Sequence, residues 1–139
     1  MTDKDLLEKK LAFIETCVYQ LRELARPEQI ENDIREERFT AHTLQIAIQA
    51  CLDVASHIVS DRRLGEPETN RELFDLLRND QWLSPELAET MRKMAGFRNI
   101  VVHGYHRMDP LILRDIVENR LDNLLDFPAI MPITLSCVP

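Results

Sequence analysis

Residues 41–59 read AHTLQIAIQACLDVASHIV, and this stretch decides the fold. Its apolar residues recur at three- and four-residue intervals on most faces instead of alternating, which is the pattern of a helix enclosed by other helices. Gln45, Gln49, Asp53, Ser56 and His57 interrupt it, so it lacks the roughly 18 uninterrupted apolar residues of a membrane span. Upstream the pattern continues as an acidic, amphipathic segment, and the whole predicts one long helix from about Glu31 to Ser60.

Working outward, prolines at 27, 67, 85 and 110 divide the chain into further segments of helical period, and only three glycines occur. Toward the N-terminus, Leu7, Leu11, Ile14, Val18 and Leu21 form one stripe, predicting a helix over about Asp3–Ala25 with Thr2 and Asp5 as a capping box. Downstream, Thr69 and Glu72 are placed as a capping box for a short helix over Asn70–Arg78. Ser84-Pro85 is an N-cap followed by proline at the first helical position, opening a helix that should end near His103, with Gly104 as the left-handed residue beyond it. Asp109-Pro110 opens the last helix in the same way, with Leu113, Ile116, Val117, Leu121 and Leu124 as its buried stripe. No run of β-branched and aromatic residues between turn dipeptides suggests a strand. The expected fold is an all-α, five-helix up-and-down bundle around one long central helix.

The 139 residues, 45% of them hydrophobic, suffice for one core. We expect a single domain over residues 1–127 and a non-helical tail at 128–139, broken by Pro128, Pro132 and Pro139. Cys17, Cys51 and Cys137 are widely spaced and form no Cys-x-x-Cys pair, so they are read as buried or incidental thiols. No basic region followed by an apolar block opens the chain, and a cytoplasmic protein is the expectation. The formal net charge of −7 argues against general electrostatic coating of nucleic acid, so any such contact must be local.

One segment departs from scaffold. The stripe Leu87, Met91, Met94, Ala95 arrives at Arg98 before resuming at Val101 and Val102. Arginine does not shed its charge, so it must be paired, lie at a subunit interface or open onto a solvated cleft. His103, Tyr105, His106 and Arg107 follow closely. Between Thr90 and Met108 the chain holds Arg92, Lys93, Arg98 and Arg107 and no acid, a charge of +4 against −11 for the rest. Arginine with histidine suits a phosphodiester: imidazole moves protons near neutral pH and guanidinium binds phosphate as its charge grows. With the RNA's own 2′-hydroxyl as nucleophile no metal is needed, and no carboxylate cluster is evident to hold one. Residues five apart differ by about 140° on an ideal helix, so Arg98 and His103 should not share a face unless the helix loosens at Gly104 or a second subunit contributes its own pair. A homodimer would meet that need.

The run Arg98-Asn99-Ile100-Val101-Val102-His103-Gly104-Tyr105 resembles the Arg-x4-His-x-Tyr motif of the HEPN superfamily, in particular its HepT toxin branch. The resemblance extends over nearly the whole chain, including Gln49–Ile58 in the long helix and the Phe97-Arg98-Asn99 approach to the motif. It implies a helical homodimer acting as a metal-independent endoribonuclease toxin on RNA, with transfer RNA suggested by family behaviour. It also implies a cognate minimal nucleotidyltransferase antitoxin of the MntA type. By resemblance Arg98 and His103 are the catalytic pair, and Tyr105 is the hydroxyl that the antitoxin modifies with AMP. Asp53 corresponds to a polar position that would orient Arg98; Asn99, His106 and Arg107 are supporting residues. No cofactor or membrane association is implied.

Each feature has a plainer reading. Arg98 would be structural if tied to Asp53, and His103 is a residue type favoured at helix C-termini by the macrodipole. Tyr105 would then only cover the core. The competing function is a non-catalytic helical module that binds a nucleotide or partner and works with a nucleotidyltransferase; a purely structural helical dimer is a third.

Overall fold

In the computed structural model, which describes residues 4–127, the elements are α1 (Lys4–Glu23), α2 (Ile34–Asp61), α3 (Asn70–Asn79), α4 (Pro85–His103) and α5 (Pro110–Asn119). Short 3-10 turns lie at Pro27–Gln29 and Tyr105–Arg107, and residues 121–127 are again helical. No strand occurs among the described residues, and none of their helices is long and apolar enough to cross a membrane. Cys137, the Thr2 capping position and the proline-containing tail lie outside the described residues.

α2 is the central rod. α1 packs along it on one side, α3 and α4 pack on each other and against it, and α5 closes the bundle. The α2 residues Leu44, Ala47, Ile48, Cys51, Val54, Ala55 and Ile58 are fully buried, as expected for a helix apolar on most faces. The expected stripes of α1 and α5 also face this core. Cys17 and Cys51 are free, buried thiols, and burial pushes both above their ordinary titration range.

Three helix starts follow the sequence signals. Ser84 Oγ accepts from Leu87 N at 3.1 Å, and Asp109 Oδ1 accepts from Leu111 N at 2.9 Å. Thr69 Oγ1 accepts from Glu72 N, while the Glu72 carboxylate reaches past the cap to Glu68 N at 2.6 Å. Each such cap is worth roughly 1 kcal/mol. α2 starts at Ile34 instead of Glu31, because Asp33 supplies the capping oxygen, accepting from Arg35 N at 2.9 Å.

α4 ends at His103 as expected, but the conformation of the helix exits differs from expectation. Gly104 has φ −154° and is not left-handed; its N–H simply continues the helical ladder to Ile100 O at 2.8 Å. The left-handed exits are Arg63 (φ 53°) after α2 and Gln81 (φ 64°) after α3. There Leu64 N donates to Val59 O and Trp82 N to Leu77 O, the six-to-one bond that satisfies an orphan carbonyl. The last helix is broken at Arg120 (φ −123°, ψ 3°). The break still leaves Leu121, Leu124 and Phe127 facing inward, and Phe127 meets Phe74 edge-on with ring centroids 5.8 Å apart.

Candidate active-site cleft

The C-terminal half of α4 carries the site, held by the buried Met91, Met94, Ala95, Phe97 and Val101. Val102, read from the sequence as part of that stripe, is exposed instead. Arg98 is half-buried on this helix. Its Nη1 donates to Asn99 Oδ1 at 3.0 Å, and its Nε is buried without a hydrogen-bond partner. No carboxylate pairs with Arg98 among the described residues. The guanidinium opens onto a cleft of about 680 Å³.

His103, the last residue of α4, lines the same cleft, as do Asn99 and Arg107. Arg98 and His103 of one chain thus line a single cleft, although they sit on different faces of the helix. The helix does not loosen at Gly104 to achieve this. The cleft wraps an arc of α4 wide enough to include both, from Gly96 through Asn99 to His103, and its opposite wall is the N-terminal end of α3.

That wall contributes a residue the motif did not reveal. Arg71 of α3 lies across α4 at Gly96, with its Nη2 3.3 Å from where a Cβ on Gly96 would stand. It too lines the cleft and forms no ion pair among the described residues. A signal existed: an isolated glycine inside a helix costs about 1 kcal/mol relative to alanine, so Gly96 announces a close approach. What approached it was not readable.

Several expectations are corrected. Asp53 does not orient Arg98, because α1 claims it: Lys10 Nζ lies 3.0 Å from Oδ2, and Gln49 Nε2 donates to Oδ1 at 2.9 Å. Arg92 does not belong to the free basic island, since Nη1 is bound to both oxygens of Asp75 at 2.7 and 2.8 Å. His106 is exposed on the 3-10 turn and does not line the cleft.

Tyr105 faces away from the cleft. Its hydroxyl donates to Glu37 Oε1 at 2.8 Å, and the Arg38 guanidinium lies 5.0 Å from its ring centroid, both from the first turns of α2. Burial and then the Glu37 carboxylate push the phenol up to about 12, with Arg38 acting in the opposite direction. The phenol is therefore neutral at physiological pH and held by an acceptor.

The chain matches the family model described as ribonuclease HepT-like over residues 14–131. It is 29% identical over 124 residues to the mRNA nuclease HepT of Shewanella oneidensis, covering 88% of this chain and 93% of that protein. It is 37% identical over 79 residues to the tRNA nuclease HepT of Aphanizomenon flos-aquae, covering 57% of this chain and 54% of that relative. A tri-AMPylated Shewanella oneidensis HEPN toxin, solved in complex with its MNT antitoxin, superimposes with a TM-score of 0.87 at 27% identity, covering 94% of this chain and 99% of that one. With the helical frame, the Arg98-x4-His103-x-Tyr105 spacing and the match over most of its length, the chain belongs to the ribonuclease HepT-like family of HEPN proteins.

Proposed function

We propose that the protein is a metal-independent endoribonuclease toxin whose reaction is carried by Arg98 and His103. The observation that carries this reading is a guanidinium free of any carboxylate, opening onto a cleft that it shares with an imidazole. In the reaction the RNA 2′-oxygen attacks the adjacent phosphorus while its proton passes to a base. The bond to the 5′-oxygen breaks, and that oxygen takes a proton. His103 moves protons in this exchange, and Arg98 binds the non-bridging oxygens as their charge grows. The products are a 2′,3′-cyclic phosphate and a 5′-hydroxyl. Asn99 holds Arg98 at Nη1 and is a positioning residue. The related nucleases act on mRNA and on tRNA, and a cleft that addresses the phosphate backbone suits either.

The test is cleavage by the purified protein in EDTA. Cutting that persists, ends in a cyclic phosphate and disappears in both Arg98→Ala and His103→Ala supports the reading; loss of cutting with the chelator overturns it. If His103→Ala still binds RNA but no longer cuts it, the non-catalytic binding module is excluded.

The partner is a nucleotidyltransferase antitoxin that transfers AMP to Tyr105, as the AMPylated state of the solved relative suggests. A phosphodiester on the phenol removes the proton that Glu37 accepts and sets negative charge against that carboxylate. The modified side chain must therefore leave its seat on α2, and the tether to the His103–Arg107 segment brings nucleotide toward the cleft. Incubation with the cognate transferase and ATP should add AMP mass to the wild type and none to Tyr105→Phe. The working form is a homodimer, because the exposed side chains of Ile100 and Ile112 line one groove and leave apolar surface beside the cleft. This reading places the protein in the cytoplasm, with RNA and ATP.

A further inference from the structure

Two of the chain's three glycines, Gly96 and Gly104, bracket Arg98 and His103, and each is overlain by an arginine. At Gly96 the neighbour is Arg71, whose Nη2, Cζ and Nε stand 3.3 to 3.5 Å from the position of an added Cβ. At Gly104 it is Arg107, with Nη2 at 2.7 Å and Nε at 2.8 Å from that position. Both arginines are exposed, line the same cleft as Arg98 and His103, and lack an ion pair among the described residues. In a chain with a net charge of −7, three unneutralised guanidinium groups in one cleft, with Glu68 as the one carboxylate residue lining it, are a local reversal of sign.

The spacing defines the ligand. Gly96 and Gly104 are eight residues apart, about 12 Å along a helix axis, which is farther than one phosphate group can reach. Arg71 and Arg107 therefore address different phosphates, with Arg98 between them. We propose that the cleft is a three-phosphate cradle for a single RNA strand, in which Arg71 and Arg107 bind the phosphodiesters flanking the scissile one. The proposal rests on the ribonuclease reading for what happens at the central phosphate, but the binding it describes is measurable without cleavage. The glycines are part of the device, since a side chain at either position pushes a guanidinium out of line.

The test measures the affinity of single-stranded oligoribonucleotides of two to five nucleotides by fluorescence anisotropy, in the His103→Ala background so that the RNA survives the titration. Affinity should rise in two steps as flanking phosphates are added. Arg71→Gln and Arg107→Gln should each remove one step and weaken the longest oligonucleotide about five- to tenfold. Each should also reduce the slope of log affinity against log salt by about 0.7, the contribution of one phosphate on a single strand. With His103 intact, both variants should raise KM while kcat at saturation stays within about twofold. Gly96→Ala and Gly104→Ala retain every charge and should still weaken binding, Gly96→Ala while raising Tm, because alanine favours the helix. Unchanged affinity and salt slope in both arginine variants, or no gain beyond the dinucleotide, would overturn the cradle. Stepwise, arginine-dependent binding by a wild type that never cuts would sink the ribonuclease reading and leave the cradle standing. Cutting with arginine-independent affinity would do the reverse.

Discussion

Arg98 joins two opposed demands in one side chain. Its Nη1 has a partner in Asn99, while its Nε is buried with none, and a buried unsatisfied donor costs about 1 to 3 kcal/mol. Arg98→Met keeps the apolar stem and removes that donor. We expect it to unfold about 1 kcal/mol later in urea while cleavage falls to background; equal or lower stability would mean that water already satisfies the donor. Tyr105 makes the second residue-scale prediction. Its pKa is raised above the ordinary value by burial and by Glu37, so the folded state holds the phenolic proton more tightly than the unfolded chain does. The resulting stability is present below pH 10 and is lost as pH rises from about 10 toward about 12. Glu37→Gln removes the carboxylate's charge but not the burial, so absorbance titration in a Tyr19→Phe background should place Tyr105 only part of the way back. No movement would show that the contact with Glu37 is absent in solution. Arg98 and His103 were legible in the sequence because a cation interrupts an apolar stripe. Arg71 and Glu37 were not, because Arg71 reaches the cleft and Glu37 reaches Tyr105 from other helices, Glu37 across 68 positions.

At the level of elements, the C-terminal ends of α1 to α4 were readable to within two residues, whereas the backbone conformation of the exits was not. Starts are set by side-chain oxygens such as those of Ser84, Thr69 and Asp109, whose chemistry is visible in the sequence. Exits depend on backbone conformation that any residue adopts when tertiary packing demands it, and here Arg63 and Gln81 are left-handed where glycine is the usual choice. Gly104 was misread for the same reason: its role is room for Arg107, not a positive φ. A non-glycine residue in this region costs about 1 to 2 kcal/mol. Gln81→Gly should therefore raise stability by about 1 kcal/mol without touching the cleft, read as a higher Tm with unchanged RNA affinity. A lower Tm would mean that the flexibility gained by the unfolded chain outweighs the strain relieved.

At the scale of the molecule, acidity and an RNA cleft are reconciled by segregation. Glu28, Glu31, Asp33, Glu36 and Glu37 crowd the start of α2, where Glu31 meets Arg114 and Glu37 holds Tyr105. Arg71, Arg98 and Arg107, none of them ion-paired among the described residues, line one cleft between α3 and the end of α4. On α4 and α5 Ile100 is 37% exposed, Val102 39%, Leu111 60% and Ile112 52%. Ile100 and Ile112 line one groove, with Leu111 beside Ile112 in sequence, and this apolar surface suits burial against a second copy. Ile100 also lines the cleft, so a seam there would run along its edge and pairing would shape the groove. The all-helical frame was legible from periodicity, whereas this exposed face was not, because Val102 reads as core by its spacing and yet faces solvent. Leu111→Arg lies at the most exposed of these apolar positions at the α4–α5 junction and opposes an apolar seam with charge. Light scattering should then show a monomer with unchanged helical content, and cleavage should fall at least about tenfold. A fully active monomer would mean that one protomer's Arg98 and His103 suffice and that the second copy serves something other than the reaction.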